Sequence, residues 1–67
     1  MEVHEIRAMA PEEIRRKLDE THEELFNLRF QWSARQLKDS NRITQVKRDV
    51  ARLKTILRER ELAEYFD

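Results

Sequence analysis

The sequence predicts an all-α protein: a long antiparallel α-hairpin of two helices with a short N-terminal helix. Three observations predict it. The 67 residues contain no glycine and a single proline, Pro11, which disfavours the tight turns of β-hairpins. Charged residues make up 42% of the chain and aromatics only 7%, the balance of a solvated helical protein. Two long stretches then carry apolar residues at heptad spacing, separated by a short polar run. The length suits one small domain, taken here as residues 1–67.

Before Pro11, Val3, Ile6 and Met9 stand at helical spacing and mark a short helix over about 2–9. The first long helix is expected over about 11–35, roughly 37 Å in length. Its seam is Ile14, Leu18, Thr21, Leu25, Leu28 and Trp32, a heptad pattern with one polar interruption. Pro11 suits the first helical position, where a missing N–H costs nothing, and Glu12 and Glu13 suit the positive end of the helix dipole. Trp32, on the seam, is expected to pack in the core at the turn end.

The turn, about 36–41, reads "QLKDSN" and offers Asp39, Ser40 and Asn41 as N-cap residues. So short a connection makes the helices antiparallel neighbours. The second long helix, about 42–61, carries Ile43, Val46, Val50, Leu53 and Leu57 as its seam, leaving 62–67 as a tail. About eleven seam side chains, each worth roughly 1.5–3 kcal/mol when fully buried, make a thin core. Phe26, Phe30, Ile56, Tyr65 and Phe66 cannot all reach it. Either the short N-terminal helix covers some of them or a partner does.

The formal charge is zero, yet it is segregated along the chain. Residues 1–26 hold four bases and eight acids, 27–58 nine bases and two acids, and 59–67 one base and four acids. On a wheel of about 100° per residue, Lys47, Lys54 and Arg58 lie on one side of the second helix and Arg48 and Arg52 on the other. Ala51, Thr44 and Thr55 lie between them. Such a strip of small side chains flanked by cations lets a phosphate backbone come close. Arg29, Arg35, Lys38 and Arg42 add charge from the first helix and the turn, and Asn27, Gln31 and Gln36 add neutral polar groups. A one-sided nucleic-acid surface is the reading this pattern favours. The plain alternative is a solvated face whose charges pair across the hairpin.

Other functions find little support. Without cysteine there is no disulfide or thiolate zinc site, and His4 and His22 are too far apart for a short ligand motif. They read as surface residues, and no metal site or cofactor is expected. Glycine-rich phosphate loops are excluded, and no nucleophile–base constellation suggests an enzyme or a small-molecule substrate. No apolar run approaches the roughly 18 residues of a membrane span. The opening "MEVHEIRAMA" lacks the pattern of a secretory signal, so a cytoplasmic protein is expected. A self-associating coiled-coil module, using the same heptads, is the alternative from another class.

"EELFNLRFQ" (23–31), "QL" (36–37), "RI" (42–43) and "VKRDVARLKTILRERE" (46–61) resemble the family of bacterial large-subunit ribosomal protein twenty-nine. "EIRAMAPEE" (5–13) resembles that family's N-terminal segment, so the likeness spans nearly the whole chain. The resemblance implies an α-hairpin with a short N-terminal helix, bound to large-subunit ribosomal RNA near the exit of the peptide tunnel. It implies ribosomal protein twenty-three as a neighbour, with trigger factor or the signal recognition particle docking nearby. By motif position it implies Arg29, Gln31, Gln36, Lys47, Arg48, Arg52, Lys54 and Thr55 as RNA-facing, and charge adds Arg35 and Arg42. Three positions depart from the family pattern. Arg35 replaces a glycine, so the usual left-handed cap is in doubt, though its charge could add an RNA contact. Thr44 stands at an often basic position, and Ala10 replaces a capping serine.

Overall fold

The computed structural model describes residues 1–66. Three helices follow in order: α1 (Val3–Arg7), α2 (Pro11–Ser33) and α3 (Asn41–Phe66), with no strand among the described residues. α2 and α3 form the antiparallel hairpin, and α1 lies against α3. The molecule measures 49 × 17 × 14 Å, and its radius of gyration is 13.9 Å. A compact domain of this length would have about 11 Å. This is a rod, and its core is a narrow line of side chains.

The helix ends follow from local chemistry. Pro11 opens α2, preceded by Ala10 in an extended conformation with no side-chain cap, and Glu12 and Glu13 fill the first turn. The 11–35 helix expected from periodicity stops two residues earlier, at Ser33. Arg35 then takes φ 59°, in the left-handed region, despite its side chain. Its N–H donates to the Trp32 carbonyl (3.0 Å), and the Gln36 N–H donates to the Gln31 carbonyl (2.7 Å). These paired bonds are the Schellman arrangement that usually recruits glycine. The left-handed cap that Arg35 put in doubt is therefore formed: two otherwise orphaned carbonyls hold Arg35 in it. That conformation costs a non-glycine residue about 1–2 kcal/mol.

α3 starts where Asp39 turns the chain, its carboxylate accepting the Asn41 N–H at 2.9 Å. The helix then runs beyond residue 61, so residues 62–66 of the expected tail are helical, while Asp67 lies outside the described residues. α1 is shorter than the expected 2–9, because Ala8 caps it and the chain turns at Met9 toward Pro11.

The seam closes in two clusters. Toward the turn, Leu25 and Leu28 of α2 meet Val46 and Val50 of α3, with Leu37 and Ile43 at the edge. Toward the open end, Ile6 of α1, Ile14 of α2, and Leu53 and Ile56 of α3 form a three-helix cluster. Leu18 touches both. Ile56, which a two-helix seam could not reach, is buried because α1 covers it. Thr21, the polar interruption, is also buried. Its hydroxyl donates to the Lys17 carbonyl at 2.6 Å, so no polar atom is stranded.

Trp32 departs from expectation. It is 53% exposed rather than packed in the core. α2 ends one residue later, and the descending chain fills the end of the seam with Leu37 and Ile43, leaving the indole in a shallow hollow beside Ser33, Arg35 and Leu37.

Candidate nucleic-acid interface

α3 sets the geometry of the basic surface. Its apolar stripe (Val46, Val50, Leu53) faces α2, and the helical repeat therefore turns Lys47, Arg48, Ala51, Lys54, Thr55 and Arg58 outward. All six are exposed. Ala51, Lys54, Thr55 and Arg58 line one shallow depression. Arg42, Gln45, Arg48, Asp49, Arg52 and Met1 line a second, more polar one. The small-residue strip between two rows of cations thus exists as a surface feature.

The cations are not equivalent. Arg42 pairs with Glu24 across the hairpin. Arg52 donates to the Met1 carbonyl at 2.9 Å and lies 3.9 Å from the Asp49 carboxylate. That carboxylate also pairs with the Met1 ammonium at 3.1 Å. Two of the basic candidates therefore brace the fold. Lys47, Arg48, Lys54 and Arg58 make no ion pair among the described residues and are available to an outside anion. The charge pairing of the plain alternative is realised at both hairpin ends, by Arg42–Glu24 and by Arg15–Glu61 at 3.5 Å. Lys47, Arg48, Lys54 and Arg58 stay outside it among the described residues.

Thr55 has a narrower role than its position suggested. Its hydroxyl donates to the Ala51 carbonyl at 2.8 Å, so its proton is already used within the helix. It can accept a bond from a ribose hydroxyl, but a phosphate oxygen needs a donor. From α2 and the turn, Arg29, Gln31, Arg35 and Gln36 are all exposed. Arg29 and Gln31 leave α2 about 200° apart, so they sit on opposite flanks of the hairpin. Arg29 shares a flank with Lys47 and Lys54. Gln31 shares the other with Arg42 and Gln45. The sequence set is brought together along α3 and divided across α2.

Sequence reasoning passed over Gln45, which completes the second depression, and Arg60. Arg60 donates to the carbonyls of Met9 (3.2 Å) and Arg7, satisfying the C-terminal end of α1 and docking it on α3. Gln45 had a signal, its place on the wheel near Arg48 and Arg52. Arg60 had none, because its partners lie about fifty residues away in sequence. His4 and His22 are exposed, and no group of three or more metal-type ligands gathers among the described residues. No described helix is long and apolar enough to cross a membrane.

A hairpin of this shape, with its basic strip on the second helix, can be compared with known proteins. The family described as ribosomal L29 protein matches residues 4–60. The chain belongs to the ribosomal L29 protein family. It is similar to the large ribosomal subunit protein uL29 of Natranaerobius thermophilus, 56% identical over 62 residues that cover 92% of this chain and 95% of that one. The uL29 of Geobacillus stearothermophilus is 54% identical over 63 residues, covering 94% and 96%. The uL29 of Corynebacterium diphtheriae is 52% identical over 59 residues, covering 88% and 78%. The matched residues reach into all three helices, from His4 of α1 to Arg60 of α3.

Proposed function

We propose that this chain is a structural, non-catalytic constituent of the large ribosomal subunit, in the cytoplasm, that binds large-subunit ribosomal RNA through the exposed face of α3. The observation that carries the RNA-binding reading is the row Lys47, Arg48, Lys54 and Arg58, which has no acidic partner among the described residues and flanks Ala51 and Thr55. Membership of the L29 family supports the assignment to the large subunit. RNA shape would set the register, through contacts to phosphate and sugar rather than to base edges. Arg29, Arg35, Gln31 and Gln36 extend the contact toward the turn, and Arg42, Arg52 and Thr55 act mainly by shaping the surface. We place the protein near the exit of the peptide tunnel beside ribosomal protein twenty-three, where trigger factor or the signal recognition particle docks. This part of the reading follows from the resemblance of its motifs to the family.

The coiled-coil alternative loses its driving force, because Leu25, Leu28, Val46 and Val50 already bury one another inside the hairpin. Sedimentation of a lysate through sucrose gradients at low and high salt tests the proposal. Co-migration with large subunits, lost only in stripping salt, is the expected result. Migration as a small free species at low salt would overturn it.

A further inference from the structure

The outer face of α2 is chemically opposite to that of α3. Phe26 is 71% exposed and Phe30 66% exposed, one helical turn apart. On the α2 wheel they lie about 100° and 140° from Leu25, and Asp19 and Glu23 lie at about 120° and 160°. Two aromatic rings and two carboxylates thus share a sector of about 60°, turned away from the seam. Neither carboxylate has an ion-pair partner among the described residues, whereas Glu24, one residue on, is paired with Arg42. Phenylalanine presents about 150–250 Å² of apolar surface. Two such rings held open in water, in a helix that elsewhere buries its leucines, suit a surface that is covered in use.

The acids decide what covers it. A nucleic acid could stack bases on the rings, but its phosphates would then lie against Asp19 and Glu23; the bordering cations, Arg15 and Arg16, lie toward the N-terminal end of α2, away from the rings, and Arg15 is already paired with Glu61. A second copy packed parallel would bring the same acids face to face, and one packed antiparallel would press each acid against a ring of the other copy, burying charge on apolar surface. A protein surface carrying Lys or Arg around an apolar patch satisfies both features at once.

We propose that the face of α2 formed by Phe26, Phe30, Asp19 and Glu23 docks a basic, partly apolar surface of another protein, on the side of the hairpin away from the RNA-binding strip. This rests on the reading that the chain is assembled with other ribosomal components, but it uses none of the α3 cations. The test replaces Phe30 by the photocrosslinker p-benzoylphenylalanine in the full chain, expressed in cells and irradiated within gradient-purified large subunits. The expected product is a crosslink to an identified protein segment that is rich in Lys and Arg and contains apolar residues. Its yield should fall at least fivefold in the Asp19→Lys/Glu23→Lys variant and stay unchanged in Glu2→Lys/Glu64→Lys, which makes the same charge change at exposed acids outside this face. A crosslink to RNA, a crosslink to another copy, no crosslink, or a yield indifferent to the Asp19→Lys/Glu23→Lys change would overturn the proposal. Absence of the protein from large subunits would strike the proposed function instead. The crosslink is then read, by the same criteria, in whichever fraction holds the protein.

Discussion

The two ends of the rod are built to different standards. At the open end three helices converge, and Ile6, Ile14 and Leu53 are wholly buried. At the turn end only two helices meet, and Leu25, Leu28 and Val50 keep 7–8% of their surface in water. The open end is also tied by hydrogen bonds from Arg60 to the end of α1 and from Arg52 to Met1. The turn end carries instead the exposed Phe26, Phe30 and Trp32 and the left-handed Arg35. A third helix costs only five residues here, yet with it three of the four buried side chains at that end lose all contact with water, where at the turn end only Val46 comes close.

Core truncations should break this contrast most visibly. Leu53→Ala, at the three-helix end, is expected to destabilise by about 2–5 kcal/mol and Leu28→Ala by an amount near the bottom of that range, since its cavity opens to solvent. Urea titrations followed by circular dichroism measure the pair. Equal losses would mean that α1 adds nothing to the core. A smaller effect of opposite sign should sharpen the open end further. Ala10→Ser supplies the missing cap of α2 and is expected to add about 0.5–2 kcal/mol, seen as a higher melting temperature. At the other end, Arg35→Gly relieves the left-handed strain. It is expected to add about 1 kcal/mol by the same melting measurement, because glycine meets no Cβ clash there but gives up more chain entropy. The same change should weaken RNA binding if Arg35 touches phosphate, which separates its two roles.

The hairpin was legible in the sequence because period and polarity both speak for it: Leu25, Leu28, Val46 and Val50 pack where the heptads put them. The helix ends were less so. Trp32 fits the seam by spacing, but spacing cannot show that α2 stops at Ser33 and leaves the ring beyond the reach of α3. Arg35 misled for a related reason. A propensity for glycine at a left-handed cap is a preference of about 1–2 kcal/mol, and the two hydrogen bonds of the cap hold against it. The basic strip was visible as charge on a wheel. Which cations were already occupied was not, since Arg42 and Arg52 find partners only once Glu24 and Met1 are folded against them.

The account turns on Lys47, Arg48, Lys54 and Arg58 of α3, which make no ion pair among the described residues, and the salt dependence of RNA binding addresses them most directly. Binding of the full chain to large-subunit ribosomal RNA, measured from low to moderate salt, should weaken steeply, as counterion release from six to eight phosphates requires. In a Lys47→Ala/Arg48→Ala/Lys54→Ala/Arg58→Ala variant with unchanged helicity, the slope of log affinity against log salt should become shallower by about 3. An unchanged slope in a folded variant would contradict the account, because the face of α3 would then carry its charge for water alone.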